Sequence, residues 1–110
     1  MLYTDFVVGE KTYKLRLSTR SMITLEKRIG MNPLMIFGNG DTLPTVTTMV
    51  DILFVSLQEF NHGITLEDAY EIFDKYIEDG HNTTDFIQVI LDIYRTSGLL
   101  KSSKEQTEKN

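Results

Sequence analysis

The stretch Thr45–Phe60, TVTTMVDILFVSLQEF, restricts the fold more than any other part of this chain. Val46, Met49, Val50, Leu53, Leu57 and Phe60 recur at i, i+3, i+4, i+7, i+11 and i+14. At about 100° per residue they share one arc roughly 100° wide, the stripe that an amphipathic helix turns toward a core. Phe54 widens the stripe. Ile52 and Val55 fall outside it, among Thr48, Asp51 and Glu59, so the helix is either central or presents a second contact surface. Burying six such side chains is worth about 1.5–3 kcal/mol each before entropy is counted. The rest of the chain is expected to pack around this hub.

Upstream, Tyr3–Val8 and Thr12–Leu17 read as two strands joined through Gly9-Glu10, a loop suited to a type II′ turn with Gly first. Tyr13, Leu15 and Leu17 alternate with Thr12, Lys14 and Arg16, giving one apolar and one basic face. A lone hairpin is marginal in water, so the apolar face must lie on other elements. Ser18 or Thr19 then caps a helix running to Ile29, with Met22, Leu25 and Ile29 (and Ile23) as its stripe and Gly30 as its stop. Asn32-Pro33 opens a short turn of helix whose Leu34, Met35, Ile36 and Phe37 are expected to pack inward. Gly38-Asn39-Gly40-Asp41 reads as a linker.

After the hub, Asn61-His62-Gly63 breaks the helix, and Thr65 with Asp68 forms a weakened capping box for the next. Leu66, Ala69, Tyr70, Phe73, Tyr76 and Ile77 make that helix's core stripe. Opposite runs a line of acids, Glu67, Glu71, Asp74 and Glu78, within about 60° of arc, relieved only by Glu71–Lys75 at i,i+4. This strip reads either as a solvated face or as a dock for a basic partner. Gly80 ends the helix, and Asn82 or Thr83 caps the last one, which runs to about Ser97. Phe86, Val89, Ile90 and Ile93 face one way, while Ile87, Leu91 and Tyr94 form a second seam at i, i+4, i+7. A small domain rarely buries two seams of a terminal helix, so the second seam, together with Ile52 and Val55 on the hub, is expected to contact a partner.

The fold expected from these elements is α+β, mainly α: an N-terminal β-hairpin packed on a bundle of about four main helices. Residues 1–100 form one domain. Lys101–Asn110 (KSSKEQTEKN) contains no apolar residue and reads as a disordered polar tail.

Charge is unevenly distributed along the chain. Residues 1–40 carry a net +3, residues 41–100 a net −9 and residues 101–110 a net +1. An acidic helical body argues against nucleic-acid binding, which needs cations to neutralise phosphates. It suits a basic or amphipathic partner. With no cysteine, disulfides, thiolate metal sites and cysteine nucleophiles are excluded. No run approaches the roughly 18 apolar residues of a membrane span, and no signal-peptide layout opens the chain. His62 and His81 each neighbour a turn glycine without a companion at ligand spacing. No nucleophile or cofactor motif stands out. The expectation is therefore a non-enzymatic intracellular protein with no metal and no cofactor.

The hairpin Phe6-Val7-Val8-Gly9-Glu10-Lys11-Thr12-Tyr13-Lys14-Leu15-Arg16-Leu17 leads into Leu25-Glu26-Lys27-Arg28-Ile29-Gly30-Met31-Asn32-Pro33-Leu34, then an acidic all-helical remainder and a polar end. Over about residues 3–100 this resembles the tail assembly chaperones of long-tailed bacteriophages and prophages of Gram-positive hosts. The shared motifs are packing motifs, with no catalytic signature among them. The resemblance implies a protein that binds the long, helix-rich tape measure protein, keeps it soluble and helps recruit tail tube subunits. It would act in the host cytoplasm and be absent from the mature virion. It also implies a homo-oligomer or spiral along the client, and in many members a longer frameshifted form diverging near Lys101–Asn110. The competing reading from the residues alone is a small acidic helical adaptor that docks a single folded basic partner.

Overall fold

The computed structural model describes residues 2–38 and 43–101; most of the expected linker and the polar tail beyond Lys101 lie outside the described residues. Strands β1 (Thr4–Val8) and β2 (Lys11–Leu15) pair antiparallel, with Thr4 opposite Leu15 and Val8 opposite Lys11. Gly9 takes a φ of 61° while Glu10 stays at negative φ. This is the combination that a type II′ turn needs. Four helices follow, α1 (Thr19–Ile29), α2 (Val46–Leu57), α3 (Leu66–Glu78) and α4 (Thr83–Thr96), with a 3-10 turn at Pro33–Phe37 between the first two. The architecture is α+β, mainly α.

Side chains at the helix starts explain where the helices begin. The Ser18 hydroxyl accepts from the Ser21 N–H at 3.2 Å, and the Thr45 hydroxyl accepts from Thr48 at 3.1 Å. Thr65 and Asp68 form a full capping box, as do Asn82 and Asp85. Each cap pairs donors that the first helical turn leaves open. At the far end of α1, Gly30 turns left-handed at φ 75° and its N–H reaches Glu26 O at 2.8 Å.

Helix α2 is central, in contact with α1, α3, α4 and β2. Met49, Val50, Ile52, Leu53, Val55, Ser56 and Leu57 are all buried, so the apolar residues off the main stripe are core as well. The Ser56 hydroxyl donates back to Leu53 O at 3.1 Å, which removes the cost of its burial. Two expected stripe members are not core: Val46 is 53% and Phe60 45% exposed. Val46 lies in the first turn, at the surface end of the helix. Phe60 lies past the last turn and meets Tyr3 edge-to-face at 5.6 Å, with the Lys14 ammonium 4.9 Å from the Tyr3 ring centre.

Further expectations fail for similar reasons. In the 3-10 turn, side chains at i and i+3 eclipse, so only Pro33 and Ile36 face fully inward while Leu34 and Met35 are exposed. On α1, Ile23 points outward. On α3 the buried set is Ala69, Phe73 and Tyr76, and Tyr70 and Ile77 are exposed.

The hairpin lies on the helices through Phe6, Val8, Leu15 and Leu17, all buried. The Phe6 ring packs 5.0 Å from Tyr76 and 5.7 Å from Phe86. Polar contacts fix its open end: Arg16 N–H to Ser56 O at 2.9 Å, Leu17 N–H to the Ser97 hydroxyl at 2.9 Å, and Thr4 to Thr96 hydroxyl at 3.0 Å. Among the described residues no helix is long and apolar enough to cross a membrane.

Candidate functional site

The second seam of α4 is not an open surface. Tyr94 is fully buried and its hydroxyl donates to Pro33 O at 2.9 Å. Ile87 is buried, and Leu91 is half-buried against the core. Beyond α4 the chain doubles back, and the Leu99 N–H bonds to Tyr94 O at 2.8 Å. The 3-10 turn and this return supply the second cover that α4 needs. Ile52 and Val55 are likewise sealed inside the bundle. All five apolar residues expected at a partner surface are thus inaccessible or mostly so, and they serve packing.

The acidic strip keeps its exposure. Glu67, Glu71, Asp74 and Glu78 are all exposed on α3. The expected Glu71–Lys75 pair does not form: ion pairs among the described residues are Arg28–Asp51, His81–Asp85 and Arg95–Asp92. Lys75 instead lies along the hairpin tip, its Cε 3.0 Å from where a Cβ on Gly9 would stand. The Gly9 N–H donates to the Asp79 carboxylate. Hence Gly9 answers to two needs, positive φ and a close neighbour.

This contact of tip and helix forms the end of an open groove of about 700 Å³ between the hairpin and α3. Val8, Tyr13, Ile64 and Ile72 give it apolar lining. Glu10, Asp68, Glu71 and Asp79 supply carboxylates against Lys11 and Lys75, an acidic balance. A smaller cleft of about 260 Å³ lies on the other flank of α3, where Val46, Val50, Tyr70 and Phe73 meet Asp51 and Asp74. The acidic strip is therefore a ridge between two depressions, with Glu71 lining one and Asp74 the other. Such a surface can desolvate an apolar side-chain row and meet flanking cations, which is noncovalent recognition.

The groove's floor was invisible in the sequence because it joins residues about sixty positions apart. One signal was present: Ile72 is an apolar residue off the core arc of α3. At the C-terminal end of α3, Tyr76 stacks on His81 with ring centres 4.3 Å apart. Burial, with the Asp85 carboxylate nearby, pushes the Tyr76 hydroxyl up to about 12. Burial also raises Tyr94. Both phenols stay neutral and serve the core.

No curated protein and no solved structure matches the chain. A family model does match, over residues 4–110, and covers the hairpin, all four helices and the groove between them. The chain belongs to that family, which is described as a family of unknown function (DUF6096).

Proposed function

We propose that the protein is a tail assembly chaperone that binds the tape measure protein of a long-tailed phage or prophage, keeps it soluble and helps bring tail tube subunits to it. The observation that carries this reading is the groove between the hairpin and α3, apolar inside and edged by Glu10, Asp68, Glu71 and Asp79. It adds to the resemblance in the hairpin and in the Leu25–Leu34 stretch. A long client made of amphipathic helices offers apolar rows flanked by charge, and a shallow open groove suits many weak, repeated contacts along it. The net −9 of residues 41–100 favours a client with basic flanks. The chaperone would act in the host cytoplasm, without catalysis, metal or cofactor, as a homo-oligomer or spiral following the client.

Co-expression with a tape measure protein tests this. The chaperone should move the client into the soluble fraction with several copies bound per client. Glu71→Lys combined with Glu78→Lys should reduce recovery, more strongly at 10 mM than at 150 mM salt, where screening shortens from about 30 Å to about 8 Å. An insoluble client in the presence of the wild-type protein would refute the proposal. One-to-one binding to a single folded basic protein would instead favour the adaptor reading.

A further inference from the structure

Three side chains that periodicity assigns to the core are instead left exposed on helix faces. Ile23 on α1 is 48% exposed, and Tyr70 and Ile77 on α3 are 46% and 38% exposed. Charges of opposite sign accompany them. On α1, Arg20 and Lys27 flank Ile23 at i−3 and i+4, so the three share an arc of about 60°. On α3, Glu67, Glu71, Asp74 and Glu78 run beside Tyr70 and Ile77. The two cations and four carboxylates are all exposed. None of the six forms an ion pair or a side-chain hydrogen bond among the described residues, where such contacts occupy Arg28, Asp51, Asp68, Asp79, Asp85 and Asp92 instead.

The two strips match in spacing and in hand. Arg20 and Lys27 are seven residues apart, as are Glu71 and Glu78, and as are Tyr70 and Ile77. Each interval is about 10.5 Å along a helix. On both helices the apolar residues precede the charged ones in the direction in which the chain winds. Antiparallel helices set face to face bring equal rotational positions together, whereas parallel ones oppose them. Antiparallel docking therefore seats Ile23 between Tyr70 and Ile77, with Arg20 at Glu78 and Lys27 at Glu71. Glu26 lies outside the α1 strip. Within one molecule the strips cannot meet, because α1 and α3 pack on different sides of α2. Arg28 reaches Asp51 and the Phe54 ring, while Tyr70 and Phe73 meet Val46 and Val50.

We propose that copies of this chain associate head to tail, the α1 strip of one docking antiparallel on the α3 strip of the next. The contact joins unlike faces, so every added copy leaves one strip of each kind open and association continues past the dimer. It spans about two turns of helix, well short of a permanent interface, and is weak and concentration-dependent. The inference needs no client and stands apart from the chaperone reading.

Sedimentation velocity on the full chain across a concentration series tests it. The mean mass of the wild-type protein should climb past that of a dimer. Arg20→Glu with Lys27→Glu should raise the concentration required at least tenfold, and so, separately, should Glu71→Lys with Glu78→Lys, since like charges then meet at both pairing positions. An equal mixture of the two variants should associate again, because altered strips attract each other and native strips do so too. That recovery also shows both variants to be folded. A wild-type chain that stays monomeric, growth that stops at the dimer, or a mixture that stays dissociated would each overturn the proposal. Glu71 edges the groove as well, so the α1 variant separates the two readings: a monomeric wild-type chain that still solubilises a tape measure protein defeats this inference and leaves the groove standing.

Discussion

Tyr94 carries one contact that no local pattern reveals: its hydroxyl reaches Pro33 O, 61 positions away, at 2.9 Å inside the core. Tyr94→Phe keeps the ring and removes the donor, so Pro33 O keeps only its partner within the 3-10 turn. The lost bond should cost about 0.5–1.5 kcal/mol in a urea melt. A loss near zero would mean that water or a small shift satisfies Pro33. The sequence marks Tyr94 as apolar at i+7 from Ile87, and that much is right. What it cannot mark is the cover, since the 3-10 turn that closes over Tyr94 is distant in the chain. Gly9 is the opposite case. Its turn is local, so its positive φ is legible, and only the Lys75 and Asp79 neighbours had to be learned from the fold.

Among the elements, α2 is where pattern and structure agree most closely in the middle and part at the ends. Leu53 is fully buried, and Leu53→Ala should destabilise by about 2–5 kcal/mol through lost transfer energy and a cavity. Val46 belongs to the same stripe but is exposed, so Val46→Ala should stay within about 0.5 kcal/mol. Equal losses in paired denaturant melts would show that the first turn of α2 is as buried as its centre. Periodicity identifies a helix face but says nothing of where along its length the neighbours stop. The hairpin, the caps and the breaks were legible because each is set within three or four residues. Which of two seams faces outward on α4, and the groove at α3, depend on elements far apart in the chain. Those had no local signature, apart from Ile72 lying off its helix's core arc.

For the molecule as a whole, the buried phenols set its response to alkali. Tyr76 is raised from 10.0 to about 12 by burial and by Asp85, and burial raises Tyr94 as well. The unfolded chain therefore ionises first. Above pH 10 it binds fewer protons than the native state, so stability falls as pH rises, and it does so through about pH 12 for Tyr76. Thermal melts should be flat with respect to these groups below pH 10 and decline above it. Tyr76→Phe should make that decline shallower. An unchanged decline in that variant would assign the alkaline loss to other groups.

The ties between the first strands and the last helix have a consequence for how the protein is made. Leu17 donates to Ser97, 80 positions later, and Thr4 meets Thr96 across 92. A ribosome adding about 5–20 residues per second needs roughly 4–16 s to travel from the first partner to the second. Throughout that interval the hairpin has been synthesised but its cover is incomplete: α2 and α3 arrive part-way through it, and Phe6 lacks Phe86 until α4 is made. Completion of the fold is thus timed by the arrival of α4, and pauses in translation before Thr83 would lengthen the period in which nascent chains can cross-pair.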